Sequence, residues 1–82
     1  MVSQDNFFVT RKIKVDLSAI GSRIKTIRGA MSQQEFATAL RITQGHLSKI
    51  ERGKVAPTVQ VLLLLSRQFH TSADWILTGE AS

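Results

Sequence analysis

Polar side chains that could bind another molecule are concentrated in one short segment, TQGHLSKIER at positions 43–52. Only Leu47 and Ile50 supply it with an apolar side, and Thr, Gln, His, Ser and Lys fill the positions between them. On a helix, Gln can pair with adenine through two hydrogen bonds, Lys can reach guanine O6 and N7, and Thr or Ser can bind a base or a phosphate. The segment therefore indicates a helix that reads nucleic acid, and the alternative is an ordinary solvated helix face.

The sequence contains no catalytic or metal-binding pattern. His46 and His70 lie in separate helical patterns, and neither has a carboxylate at a catalytic spacing. The chain has no cysteine, which excludes a disulfide scaffold, thiolate metal sites and thiol catalysis. Metal-ligand spacings and a glycine-rich phosphate loop are also lacking. We predict a protein that is not an enzyme and that needs no cofactor, metal or small-molecule ligand.

Length and charge narrow the class of protein further. The 82 residues suit one compact domain, and 11 basic against 6 acidic side chains give a net charge of +5. A basic small domain favours an anionic partner, most often nucleic acid, although a solubility bias would give the same charge. The longest apolar run, VLLLL at 61–65, is too short to span a membrane, and the first residues lack a signal-peptide pattern. We therefore predict a cytoplasmic, nucleoid-associated protein with no membrane partner.

Capping residues and glycines divide positions 16–80 into five predicted helices. The predicted N-caps are Asp16, Ser32, Thr43, Thr58 and Ser72. Ser32 and Glu35 form the S-x-x-E pattern of a capping box. The glycines that end helices are predicted to be Gly29, Gly53 and Gly79. Since the connections are short, the pattern predicts a compact all-α domain.

The segment QQEFATALRITQGHLSKIER, positions 33–52, resembles the helix-turn-helix of the phage repressor/Cro type, also called the XRE family. The motif has a small residue at its fifth position, here Ala37, and its apolar positions are filled by Phe36, Leu40, Ile42, Leu47 and Ile50. The flanking segments LSKIERGKVAP and ADWILTGE also match the family, so the resemblance covers about 17–80. It implies a lambda-repressor-like fold of five helices that binds double-stranded DNA, with the third helix in the major groove.

The resemblance also implies roles for individual residues. The base-reading positions are Thr43, Gln44, Gly45, Ser48 and Lys49, of which Thr43 and Ser48 can contact either base or backbone. The phosphate contacts fall to Gln33, Arg41, His46, Arg52 and Lys54. Gln33 would also brace Gln44. Arg28 and Glu51 would form a structural pair that ties the third helix to the first.

Two positions depart from the family pattern. Arg41 stands in the turn where the family usually has glycine, and His70 replaces a glycine common after the fourth helix. A left-handed conformation at a residue other than glycine costs roughly 1 kcal/mol, so the turn at Arg41 is either strained or differently shaped. A phosphate contact from Arg41 would offset that cost.

The leucine-rich fourth helix predicts a second subunit. Leucines at 62–65 cover more than one face of a helix, and together with Val61, Trp75 and Ile76 they suggest an exposed apolar patch. The interface candidates are Leu63, Leu64, Trp75 and Ile76. A symmetric dimer would place two recognition helices about one DNA turn apart and would read palindromic operators. The alternative is a thickly packed core.

Residues 1–15 differ from the rest and leave a competing function open. The stretch FFVTRKIKV could be a strand that pairs with a partner chain, a basic arm that enters a minor groove, or a terminus without fixed structure. The most direct interpretation is a homodimeric repressor. The competing one is a protein-interaction module, an antitoxin or an antagonist of another regulator, that uses the fourth helix and this segment.

Overall fold

The computed structural model describes residues 15–80, and helices occupy most of this range. The five are α1 (Leu17–Arg28), α2 (Gln33–Ala39), α3 (Gln44–Glu51), α4 (Val59–Phe69) and α5 (Ala73–Thr78). The described residues contain no strand, so the predicted all-α fold of five helices is confirmed. The arm or strand predicted for 1–15 lies, except for Val15, outside the described residues.

Each helix begins directly after the residue predicted to cap it. The side-chain oxygen of the cap accepts a hydrogen bond from the backbone N–H three residues later, at 3.0 to 3.2 Å. These caps are Asp16, Ser32, Thr43, Thr58 and Ser72. The backbone N–H of Ser32 donates in turn to Oε1 of Glu35 at 3.2 Å, which completes the capping box. The caps satisfy backbone donors that a helix leaves free at its first turn.

The turn between α2 and α3 bends sharply at Arg41. Its φ is +60°, in the left-handed region. The N–H of Arg41 donates to the carbonyl of Thr38 and the N–H of Ile42 to that of Ala37, both at 3.0 Å. This pair of bonds is the Schellman arrangement, which usually has glycine at the left-handed position. Arg41 therefore adopts the left-handed conformation and bears the steric cost that a residue other than glycine has there.

The end of α3 repeats the same arrangement with glycine in place. Gly53 has a φ of +76° and donates to the carbonyl of Ile50 at 3.0 Å, while Lys54 donates to that of Lys49 at 2.8 Å. A Cβ on Gly53 would lie 2.9 Å from the Cα of Ser18 at the start of α1. Backbone conformation and space therefore both require glycine at this position.

The core is formed by one stripe from each helix. Its buried residues are Ile20, Ile24, Phe36, Ala37, Leu40, Leu47, Ile50, Val61, Leu65 and Ile76. α3 packs against both α1 and α2, and α5 packs against α1 and α4. The rings of Phe36 and Phe69 meet edge to face with centroids 5.0 Å apart, which joins α2 to α4.

Two residues of α1 fix its distance from its neighbours. Gly21 lies so close to the last turn of α3 that a Cβ there would overlap the carbonyl oxygen of Ile50 and lie 2.6 Å from that of Glu51. Arg23 donates from Nη1 to the carbonyl of Ile76 at 3.0 Å, which holds the end of α5. α1 is thus the element against which α3 and α5 are positioned.

The apolar residues exposed in the structure differ from those predicted for the apolar patch. Val61 and Ile76 are fully buried, so their assignment to an exposed patch is wrong, and Ile76 is a core residue of the single chain. The large apolar side chains that are exposed on α4 and α5 are Val59 (82%), Leu63 (50%) and Leu77 (44%). Leu64 and Trp75 are half-buried against the core.

Candidate nucleic-acid interface

α3 has one buried face and one free face. Leu47 and Ile50 are fully buried and carry its packing against α1 and α2. Gln44, Gly45 and Lys49 are exposed. Nothing lies within 4 Å of the place where a Cβ on Gly45 would be, so the backbone itself is accessible there. The free face therefore exposes side-chain and backbone groups to solvent.

The first turn of α3 is shaped by Thr43. Its Oγ1 accepts a hydrogen bond from the N–H of His46 at 3.0 Å, which leaves the hydroxyl proton free to donate outward. An open hollow of about 370 Å³ lies beside this turn, lined by Thr43, Gly45, His46, Lys49 and Val55. The hollow combines an amine, an imidazole and a hydroxyl with one apolar side chain. It forms a concave part of the free face.

A chain of hydrogen bonds connects the ends of α1, α2 and α3. Arg28 donates from Nε and Nη2 to the two carboxylate oxygens of Glu51, at 2.8 and 3.2 Å, and from Nη1 to the carbonyl of Met31 at 2.9 Å. Nε2 of Gln33 donates to Oε1 of Glu51 at 2.9 Å. Nε2 of Gln44 donates in turn to Oε1 of Gln33 over 3.4 Å. The exposed Gln44 is thus linked to an ion pair behind α3.

The ion pair at the inner end of this chain is largely removed from water. The side chain of Glu51 is 3% exposed and that of Arg28 15% exposed. The hydrogen bond that Arg28 donates to Glu51 raises the pKa of Arg28 above its usual value, against the opposite effect of burial. Arg28 therefore remains charged, and α3 is held to α1 by a bidentate contact of defined geometry.

Basic side chains stand at both ends of α3. Arg41 is exposed in the turn before the helix, and Arg52 and Lys54 are exposed after it. Nε of Arg52 donates to the carbonyl and the Oγ of Ser48, at 3.3 and 3.2 Å. Arg52 is therefore folded back along α3, and the oxygen of Ser48 is engaged by a neighbour in this state.

The structure brings the predicted DNA-contacting residues into one region. All but Gln33 lie on α3 or on the turns that flank it, namely Arg41, Thr43, Gln44, Gly45, His46, Ser48, Lys49, Arg52 and Lys54. Gln33 joins them from the start of α2 through its bond to Gln44. The interface candidates Leu63, Leu64 and Trp75 lie on α4 and α5.

Sequence reasoning missed three features of this region. It did not foresee the bond between Gln33 and Glu51, the close approach at Gly21, or the exposure of Val59 and Leu77. A glycine inside an otherwise regular helical pattern was the available signal for Gly21. The hydrogen bond left no signal, because it joins side chains 18 positions apart.

The described residues lack two other kinds of site. Within 15–80 no group of three His, Asp or Glu side chains is placed to hold a metal ion. In the same part of the chain no helix is both long and apolar enough to cross a membrane.

Two helices joined by a tight turn, the second with a buried stripe and a free polar face, define a helix-turn-helix DNA-binding unit. Comparison with known proteins agrees, since the family described as Helix-turn-helix matches residues 24–76. The chain belongs to this family, in its Cro/C1-type (XRE) branch.

A curated relative gives the same result. The HTH-type transcriptional regulator DicA of Escherichia coli (strain K12) is 38% identical over 63 residues, which are 74% of this chain and 47% of the relative. The chain thus spans about half the length of the curated relative that it matches. No solved structure gives a significant match.

Proposed function

We propose that this protein is a sequence-specific transcriptional repressor that binds a palindromic operator as a homodimer, with α3 of each subunit in the major groove. The observation that carries the proposal is the division of α3 into two faces. Leu47 and Ile50 fix the helix from behind, while Gln44, Gly45 and Lys49 are exposed in front. A rigid helix with unused donors and acceptors at its N-terminal end is what major-groove reading requires.

The base-reading roles follow from what each group offers. Gln44 pairs with adenine, Lys49 donates to guanine O6 or N7, and Gly45 lets the duplex approach the backbone. The hydroxyl of Thr43 is free to donate to a base or a phosphate. The oxygen of Ser48 accepts from Arg52, and its hydroxyl proton can donate to a base or a phosphate.

The phosphate contacts come from the two ends of α3. Arg41 stands before the helix and Arg52 and Lys54 after it, so they reach the two sides of one groove. His46 and Gln33 are half-buried and contribute at the edge of the same surface. These contacts set the register of the protein on the duplex, and the base contacts set the sequence.

Repression by this protein is steric, because an occupied operator blocks the polymerase, and it needs no cofactor or small-molecule ligand. The protein then acts in the cytoplasm, where the nucleoid is. Dimerisation uses Leu63, Leu64 and Trp75, to which the exposed Val59 and Leu77 are added. Ile76 is excluded because it is fully buried.

The experiment that tests the proposal is a selection from random duplex DNA with the purified protein, followed by sequencing. The expected product is a palindrome whose half-sites are centred roughly 10 base pairs apart. The Lys49→Ala variant should bind this site about 1–3 kcal/mol more weakly and lose its preference at one position. If no sequence is enriched and binding follows only the charge of the competitor, the repressor function is wrong.

A second function is favoured by the exposed apolar side chains of α4 and α5. A different protein that binds Val59, Leu63 and Leu77 would cover them in place of a second copy of the chain. The chain would then be an interaction module such as an antitoxin or an antagonist of another regulator. The two functions differ in the salt dependence of DNA binding. A repressor releases counterions and loses affinity steeply as salt rises, whereas an interaction module binds DNA weakly at every salt concentration.

A further inference from the structure

The five helices pack in two groups, and α1 and α5 contact each other across the boundary. In the first group α3 packs against α1 and α2, and in the second group α4 packs against α5. The free polar face belongs to the first group, because it lies on α3. The exposed apolar residues Val59, Leu63 and Leu77 belong to the second. The contact between α1 and α5 therefore sets how these two surfaces are oriented relative to each other.

Apolar packing brings the two groups together. Ile76 of α5 is fully buried in the common core, and the rings of Phe36 and Phe69 meet across the boundary with centroids 5.0 Å apart. The hydrophobic effect is non-directional, so such contacts favour closeness more than one particular angle. A hydrogen bond defines an orientation better, because its energy depends steeply on angle.

Arg23 supplies a hydrogen bond at this boundary. It lies on α1, is half-buried, and donates from Nη1 to the carbonyl of Ile76 at 3.0 Å. Of the side-chain hydrogen bonds formed within residues 15–80, it alone joins the two groups. The guanidinium is charged and planar, so this bond is stronger and more restricted in direction than one between neutral groups. A positive charge at the C-terminal end of α5 is also favoured by the helix dipole.

Gly79 makes room for the guanidinium at the end of α5. Its φ is +80°, and a Cβ on it would lie 2.5 Å from Nη2 and 2.9 Å from Cζ of Arg23. The guanidinium thus occupies the place that a side chain would take. Arg23 therefore meets α5 at two points, the carbonyl of Ile76 and the backbone of Gly79, and two points resist a rotation of the helix better than one.

The same helix α1 also holds α3. Gly21 approaches the last turn of α3, and Arg28 forms its ion pair with Glu51. At 3.6 residues per turn, Arg28 lies within about 20° of Gly21 around the helix axis, whereas Arg23 lies about 200° from it. α1 is therefore a rigid spacer that holds α3 on one side and α5 on the other.

A dimer in which both α3 helices are held rigidly can accept only one separation of half-sites. One extra base pair moves a half-site by about 3.4 Å and turns it by about 35° around the duplex. We propose that Arg23 is a positioning residue for operator spacing: by fixing α5 on α1, it fixes the angle between the dimer surface and α3. The inference rests on the proposed function and adds to it the residue that limits the separation of half-sites.

The test measures the preference for spacing rather than affinity. The palindrome selected by the unsubstituted protein is remade with one base pair inserted or removed at its centre, and dissociation constants are measured for all three duplexes. We expect the unsubstituted protein to bind the original spacing about tenfold or more tightly than either altered one. Arg23→Met keeps an unbranched side chain without the guanidinium, and should bring the three constants within about threefold of one another.

Two controls separate this role from a loss of charge and from damage to α3. Lys25 is a nearby basic residue of α1 with an exposed side chain. Lys25→Met removes the same charge and should keep the full preference for spacing. A duplex with a single half-site should be bound equally by Arg23→Met and by the unsubstituted protein, because the contacts that hold α3 on α1 are unchanged.

A second variant displaces the guanidinium without removing it. Gly79→Ala places a Cβ where the guanidinium lies, so Arg23 has to leave the carbonyl of Ile76. The substitution is at an exposed position after α5 and outside the core, and it should relax the preference for spacing as Arg23→Met does. It decides the question where Arg23→Met fails to fold.

Three results would overturn the inference. If both variants bind every spacing more weakly but keep the unsubstituted ratios, Arg23 only stabilises the fold. If sedimentation equilibrium shows that they are monomers, Arg23 maintains the dimer itself rather than its angle. If the unsubstituted protein selects a palindrome but tolerates every spacing, the inference is wrong while the proposed function stands. A protein that selects no sequence at all would instead remove the proposed function, and this inference with it.

Discussion

Arg28 and Glu51 are 23 positions apart and join the last turn of α1 to the last turn of α3 through two hydrogen bonds of 2.8 and 3.2 Å. The contact is placed behind the helix that carries the free polar face. Directly beside it, the backbone of α1 approaches α3 at Gly21. The angle at which α3 is presented is therefore fixed by one ion pair and one close backbone contact.

Removing one partner of this pair should be costly. We expect Glu51→Ala to lower the free energy of unfolding by about 3 kcal/mol, because a largely buried guanidinium would remain without its counter-charge. Urea denaturation followed by circular dichroism measures the change. The double variant Arg28→Met/Glu51→Met should lose much less unfolding free energy than the single variants Arg28→Met and Glu51→Met lose together. Additive losses would show that the pair is not coupled.

Two helical glycines should respond to alanine with opposite signs. Gly45→Ala should stabilise the protein by about 0.5 kcal/mol, because its Cβ meets nothing and alanine is the better helix former. Gly21→Ala should destabilise it, because its Cβ would overlap the carbonyl oxygen of Ile50. The urea midpoints of the two variants decide. A stabilised Gly21→Ala would mean that α1 can move away from α3 at little cost.

The left-handed residues offer a matched pair for separating stability from binding. Arg41 and His70 have φ values of +60° and +51°. Glycine at either position relieves steric strain but raises the conformational entropy of the unfolded chain. The free energy of unfolding of each variant should therefore rise by about 0.5–1 kcal/mol. Arg41→Gly should also bind DNA more weakly, whereas His70→Gly should not. Equal DNA affinity in both would remove Arg41 from the phosphate contacts.

Salt dependence should identify the phosphate contacts that follow α3. Lys54→Ala is expected to weaken binding to every sequence alike and to reduce the slope of log K against log salt by about 1. Arg67→Ala removes an exposed charge from the last turn of α4 and serves as the control, with an unchanged slope. Fluorescence anisotropy titrations at several salt concentrations give both slopes. A slope that falls equally in the two variants would indicate attraction by net charge only.

The subunit interface should depend on the free side of α4. Leu63→Lys places a charge at a half-exposed position and should yield a monomer that no longer prefers a palindrome over a single half-site. Val15→Lys alters an equally apolar side chain, 66% exposed before α1, and should leave the dimer intact. Sedimentation equilibrium distinguishes the two. A dimeric Leu63→Lys protein would require a different interface.

Helix starts could be predicted from the sequence because a cap is a local interaction. Ser32 and Glu35, for example, need only each other and the backbone between them, and the structure contains both of their hydrogen bonds. The left-handed turn at Arg41 is harder to predict, because the sequence has an arginine where the backbone adopts a conformation that favours glycine. There the packing of α2 against α3 outweighs the local preference.

The leucine-rich part of α4 could not be assigned from its pattern. Every position from 61 to 65 is apolar, so the sequence contains no polar residue to show which side faces water. The structure buries Val61 and Leu65, one turn apart, and exposes Leu63 between them. The link from Gln33 to Glu51 was equally hidden, because the order of helices in space, not the spacing of residues, brings those side chains together.

The separation of α3 into a fixed side and a free side also bears on how such proteins change over generations. Gly21 and Ile50 tolerate little, because backbone and core fill the space around them. Gly45 and Lys49 face outward, so under the proposed function a codon change there alters which sequence is bound at almost no cost in folding. After a gene duplication, two copies can therefore acquire separate regulatory targets through a few substitutions on one surface, while both keep the same architecture.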